Sequence, residues 1–177
     1  MSNNVLLVGN GINNIQRSYR WGDLINQLIG FIGATGQIST DNKPFPLLYE
    51  EIVVEAVMNR GIREKDIKGF IAQEIGKLES NEVHMRIFEM KWKHILTTNY
   101  DFTLERVLTN QTKKLSNHGA VKESVYSLFR NHTIDTRTFW HIHGDANNKN
   151  SLALGYEHYS GYLQQMRNYL VVGRRTA

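Results

Sequence analysis

A chain of 177 residues with 41% hydrophobic and 21% charged residues holds enough apolar surface for one folded domain, is short for two, and lacks the composition of a disordered segment. The absence of cysteine excludes disulfides, cysteine-ligated zinc and a thiol nucleophile in one step. The net charge of +4 comes from scattered basic residues, with only short pairs such as Lys113-Lys114 and Arg174-Arg175, so there is no basic stripe of the kind that binds nucleic acid.

Residues 5–8, Val5-Leu6-Leu7-Val8, form an apolar run that stops at Gly9 and read as a buried first strand. Trp21, Leu24, Ile25, Leu28, Ile29 and Ile32 fall at three- and four-residue spacings, which predicts a helix over 21–33. Residues 35–46 hold both prolines, Pro44 and Pro46, and read as a loop. Two helical segments broken near Gly61 follow from 47 to about 78, marked by Leu48, Ile52, Ala56 and Met58 and then by Ile67, Ile71 and Ile75. A third helix starts at Ser80-Asn81-Glu82 and runs to Met90. Residues 94–98 return to strand, and a helix over 101–108 follows with Asp101 as its N-cap. Residues 109–120 are a polar loop, 125–129 and 138–142 are short strands, and 156–170 is a last helix. Strands separated by helices imply an α/β fold of Rossmann-like type, a doubly wound parallel sheet with an inserted helical layer over 47–90, forming one domain over 1–177.

Three strand ends carry chemistry. In an open α/β sheet the carboxyl ends of the strands line the crevice where ligands bind. After the first strand stands Gly9-Asn10-Gly11-Ile12-Asn13. Its glycines permit a tight turn and let backbone N–H groups approach a phosphate. Asn14 occupies the place of the third glycine of the dinucleotide fingerprint, so alone the motif fits a structural turn equally well. After the second stands Thr97-Thr98-Asn99-Tyr100-Asp101, which puts an amide and a carboxylate at one crevice. An amide both donates and accepts, so Asn99 can hold ribose hydroxyls or a water, while Asp101 can cap its helix as well. The third is His141-Ile142-His143-Gly144-Asp145. Two histidines at i and i+2 of a strand share a face, and three interpretations stand open. His141 is a packed core residue and His143 a turn residue; or His141, His143 and Asp145 form a metal site for a hydrolase; or His143 is a general base beside a flexible glycine.

Taken together, the motifs resemble the sirtuin superfamily, and in particular its prokaryotic sirtuin-like NAD-hydrolase branch from anti-phage defence. Sirtuins carry G-A-G-I-S, T-Q-N-I-D and a catalytic H-G in that order; the corresponding residues here are Gly9 to Asn13, Thr97 to Asp101, and His143-Gly144. The four-cysteine zinc module of deacetylase sirtuins cannot be built here. Asn13 replaces the serine, Thr98 replaces the glutamine, and 14–20 lacks the usual phenylalanine–arginine element. Trp21-Gly22-Asp23-Leu24 is similar to the opening of the first helix in the defence branch.

The resemblance implies hydrolysis of NAD at the nicotinamide–ribose bond, with NAD as substrate and no zinc. It assigns His143 as general base, Asn99 to orient the water or ribose hydroxyls, and Asp101 to position ribose or the nicotinamide amide. Gly9, Asn10, Gly11, Ile12, Asn13 and Thr98 are then the dinucleotide-binding residues, the backbone of 9–13 cradling the pyrophosphate. Family members continue past the last helix into further strands, so the expectation is a C-terminally incomplete domain, with those strands either missing through truncation or replaced by cover from a homo-oligomer or partner subunit. The alternatives are a non-catalytic NAD- or ADP-ribose-binding module, an inactive remnant, and the metal-dependent hydrolase. With no apolar run of spanning length and no signal-peptide pattern, a cytoplasmic location without membrane or nucleic-acid partners is expected.

Overall fold

In the computed structural model of the chain, which describes residues 5–14, 20–109 and 131–175, the apolar runs pair into one sheet. Its strands are β1 (Val5–Val8), β2 (His94–Thr97), β3 (Asn131–Ile134) and β4 (Arg137–His141), in the order β1-β2-β4-β3. β1 pairs parallel with β2, and β2 parallel with β4. Register aligns Leu6, Ile95 and Phe139 in one row, and Val8, Thr97 and His141 in the next. Because side chains alternate along a strand, these six share one face. That face meets α4 (Glu82–Glu89) and α5 (Thr103–Thr109), where Val8, Ile87, Ile95, Leu104 and Phe139 form a buried cluster.

Helices α1 (Trp21–Phe31), α2 (Phe45–Arg60) and α3 (Glu64–Gly76) build the larger core between strands β1 and β2 in the chain. Leu24, Ile25, Leu28, Ile52, Ile67 and Ile71 are almost wholly buried in it, together with Tyr100, Leu152 and Leu154. The α/β architecture expected from the alternation of patterns is thus present, and the helical layer between 47 and 90 is α2, α3 and α4. α2 starts at Phe45, two residues earlier than the pattern predicts, because Pro46 fits the first turn, where no N–H is needed. It ends at Gly61, whose φ of 67° closes the helix in the left-handed conformation.

Three details differ from expectation. Among the described residues β1 is at the sheet edge, with Val5 and Leu7 51% and 65% exposed and only Val8 buried; an apolar run does not reveal which strand is an edge. β3 runs antiparallel to β4 through a tight turn holding Asp135 at a φ of 54°. Its sequence, Asn131-His132-Thr133-Ile134, carries no apolar periodicity, and the strand expected at 125–129 lies outside the described residues. α5 begins at Thr103 rather than Asp101, because the Asp101 carboxylate accepts the Thr103 N–H and forms the turn before the helix.

The last helix, α6 (Tyr156–Arg175), is tied back to the helical layer. His158 Nδ1 accepts the N–H groups of Leu154 and Gly155, both at 3.0 Å, and so caps the start of α6. Its Nε2 meets Glu64 of α3 at 3.0 Å and Lys68 at 2.9 Å, and Tyr49 of α2 donates to the same carboxylate. No helix of the described residues is long and apolar enough to cross a membrane.

Candidate functional site

The three motifs occupy the carboxyl ends of β1, β2 and β4, which the parallel pairing brings side by side. Residues 10–14 coil into a single 3₁₀ turn directly after β1. Gly9 lies beside Thr98, whose hydroxyl is 3.6 Å from where a Cβ on Gly9 would stand, and a Cβ on Gly11 would enter open space. Gly9 and Gly11 are exposed, Asn10 and Ile12 are half-buried, and Asn13 is buried.

Asn13 joins the first two motifs. Its Nδ2 donates to Asn10 Oδ1 and to Asp101 Oδ2, both at 2.9 Å. Its Oδ1 faces His84 Nε2 at 3.1 Å. The tautomer of His84 follows from its other nitrogen: Nδ1 accepts the Asn81 N–H at 3.0 Å, so the proton is on Nε2, which donates to Asn13 and meets Thr103 Oγ1 at 2.9 Å. Burial lowers the His84 pKa, against smaller opposing effects of Asp101 and Glu105, and keeps the ring neutral. Asp101 Oδ1 accepts both the N–H and the hydroxyl of Thr103. Three protein donors therefore fill three of the carboxylate's four acceptor positions, and one position on Oδ2 remains.

Asn99 is held differently. Its N–H donates to Thr97 Oγ1 at 3.0 Å, and its carbonyl accepts from His141 Nδ1 at 3.0 Å. The residue is 3% exposed, yet among the described residues neither Nδ2 nor Oδ1 has a hydrogen-bond partner. Buried amides are nearly always satisfied, so this one is a polar group in want of a ligand or water. Beside it is a narrow cleft lined by Asn10, Trp21, Ile75, Leu78, Asn99, Tyr100 and Asp101. Its occupiable volume of about 10 Å³ is roughly that of one water, so any larger group enters only as the walls part.

His141 and His143 do not face the same way, contrary to the expectation from their spacing. β4 ends at His141, and His143 follows in a turn, where the period of two no longer applies. His141 is wholly buried, with Nε2 2.7 Å from Glu105 Oε1. His143 is half-buried, and its ring stands edge-on to Tyr159 at 5.3 Å and tilted to Tyr162 at 6.4 Å. Burial lowers its pKa, so its neutral, proton-accepting form prevails at neutral pH. His143 does not line the Asn99 cleft. The two regions meet through Tyr100, whose hydroxyl donates to the Ala153 carbonyl and whose pKa is raised by burial and by nearby Tyr159, the ring that packs on His143.

Asp145 Oδ1 accepts the N–H groups of Asn147 and Asn148, shaping the loop after β4. His141, His143 and Asp145 therefore point to different partners, and among the described residues no three His, Asp or Glu side chains gather as a metal site. Gly144 explains the H-G pair sterically. Its φ is +92°, and a Cβ would stand 2.1 Å from the Ser151 carbonyl oxygen, so only glycine lets the 151–153 segment close on His143. The Ala153 N–H bonds to the His143 carbonyl at 2.9 Å and completes that clamp.

Pattern reading missed His84, Tyr100, Thr103 and Glu105. His84 had a local signal, three residues after the helix-capping Asn81, and Thr103 another, two residues after Asp101. Glu105 had none, because its partner His141 lies 36 residues away. No curated protein matches the chain. Residues 93–172, from β2 through most of α6 and so including the second and third motifs, match the family model of the SIR2-like domain, a similarity that supports the sirtuin-like superfamily for this stretch.

Proposed function

We propose that the chain binds NAD and cleaves its nicotinamide–ribose bond, releasing nicotinamide and ADP-ribose, in the manner of a cytoplasmic anti-phage NAD hydrolase. The observation that carries this reading is the buried, unpartnered amide of Asn99 at the end of β2, within the stretch similar to the SIR2-like domain. The glycosidic bond breaks through an oxocarbenium-like state. Nicotinamide leaves with the bonding electrons, and water adds at the anomeric carbon with loss of a proton. Asn99, with one donor-bearing nitrogen and one acceptor oxygen free, orients the water or the ribose hydroxyls. His143 in its neutral form takes the proton once the cleft walls part for the substrate and bring the reacting group within its hydrogen-bond reach. The remaining acceptor position of Asp101 meets a ribose hydroxyl or the nicotinamide amide, while Asn13 holds that carboxylate still. The backbone of Gly9 to Ile12 and the hydroxyl of Thr98 receive the pyrophosphate.

The test is chromatography of NAD incubated with the chain. Free nicotinamide and ADP-ribose in equal amounts, with release by Asn99→Ala lower by about 10²- to 10³-fold, as for loss of one positioned polar group, support the proposal. NAD binding without release would leave the non-catalytic binding module instead.

A further inference from the structure

We propose that Glu105 and His141 act together as a proton-dependent positioning device that holds the Asn99 amide toward the cleft. The catalytic consequence rests on the NAD-cleavage reading; the coupling itself rests on geometry alone. Leaving a buried amide unpaired is costly, and such an arrangement persists only where the surroundings fix it. The Asn99 backbone is fixed at two points, Thr97 Oγ1 on its N–H and His141 Nδ1 on its carbonyl. The second point requires a proton on Nδ1.

On its other side, His141 Nε2 is 2.7 Å from Glu105 Oε1. Both neighbours are acceptors, and both ring nitrogens donate only in the imidazolium. The pair therefore retains a proton in the closed arrangement. The ring lies in a fully buried site, against Phe102 at 5.1 Å and His132 of β3 at 5.4 Å. Among the described residues, the charged and titratable groups facing it are Glu105 from α5, Asp145 from the loop after β4, and His132; Glu105 in turn also acts on His84. Burial alone lowers the His141 pKa, but the charge and hydrogen bond of Glu105, with Asp145 and the Asn99 carbonyl, hold it above its ordinary value.

Removal of the proton leaves one N–H for two acceptors. The carboxylate is the stronger acceptor and takes it. The Nδ1 lone pair then faces the Asn99 carbonyl, and one of the two anchors is lost. Glu105→Gln separates this from a packing role. A glutamine amide donates to Nε2, so a neutral ring keeps its Nδ1 proton on Asn99 at every pH. His141 is thus a positioning residue, not a catalytic one.

The experiment measures kcat and KM for nicotinamide release from pH 5 to 10, together with the ¹³C shift of the Asn99 carbonyl and the ¹⁵N shifts of the His141 ring. In the wild type, kcat falls about tenfold per pH unit on the alkaline side, as for loss of one essential proton, with KM nearly constant. The Asn99 carbonyl shift moves with the His141 titration. In Glu105→Gln, kcat at neutral pH stays within about fivefold, and both the alkaline limb and the carbonyl titration disappear. A wild-type carbonyl that does not move as the His141 ring titrates overturns the proposal, even if Glu105→Gln fails to fold. An alkaline limb that persists in a folded Glu105→Gln protein overturns it as well. Coupled shifts in a wild type that releases no nicotinamide would uphold the device and count against NAD cleavage alone.

Discussion

Replacing Asn13 by alanine removes one side chain that holds two strand ends together. The Nδ2 bond to Asp101 Oδ2 is lost in a buried site, and the Oδ1 partner of His84 is lost with it. His84 still reaches Thr103 Oγ1 at 2.9 Å, so the main cost is the deprived carboxylate. A hydrogen bond to a buried charged group is worth about 1.5–3 kcal/mol, and the cavity left by the amide raises the total to about 2–4 kcal/mol. For a chain of this size each kcal/mol moves Tm by about 2–4 °C, so a fall of about 5–15 °C is expected. Asn10→Ala is the internal control, because it removes only the half-buried acceptor of the same Nδ2 group and should cost under about 1 kcal/mol. Urea titration followed by circular dichroism measures both variants. Asn13→Ala within about 0.5 kcal/mol of the wild type, or no more costly than Asn10→Ala, would refute the claim that Asn13 joins the first two motifs.

Gly144→Ala places a Cβ 2.1 Å from the Ser151 carbonyl oxygen at a φ of +92°; a loss above about 4 kcal/mol is expected, with the Ala153 amide losing protection in hydrogen exchange, and an unchanged Tm would contradict it. The Glu64 pKa is lowered to about 2, chiefly by the hydrogen bond to His158 and against the opposing effect of burial. Because the folded-state value is depressed, its contribution to stability is present above about pH 4.5 and is lost as pH falls toward 2. Glu64→Gln should therefore be less stable than the wild type at pH 7 and nearly equal to it at pH 2, with a constant difference across that window as the contrary result. His143 has a pKa lowered by burial, so the acid limb of kcat/KM for nicotinamide release should fall below the ordinary histidine value of about 6.5; a limb centred above pH 7 would remove it as the base.

Much of the architecture was legible because strong periodicities survive tertiary packing. The stripes at Leu24, Ile25, Leu28 and at Ile67, Ile71, Ile75 are the buried faces of α1 and α3, and Gly61 ends α2 as a left-handed cap should. β3 escaped notice because its register is set by the hairpin with β4, not by apolar residues of its own. The exposure of β1 escaped for a related reason: whether a strand lies at an edge depends on what pairs beside it. At the site, the motif residues are adjacent, but the spacing of His141 and His143 misleads once β4 stops between them. The chemistry of Asn99 was readable as an amide at a strand end. That its side chain is unpaired while Glu105 and His141 hold its backbone is a long-range property, and no local spacing encodes it.

The central claim is most directly tested by measuring NAD binding and nicotinamide release for the wild type and His143→Ala side by side. The wild type is expected to release nicotinamide and ADP-ribose in equal amounts. His143→Ala should bind NAD with similar affinity and release it at least about 10²-fold more slowly, the lower end of what a general base contributes. Equal turnover in both proteins, or a wild type that neither binds nor cleaves NAD, would contradict it.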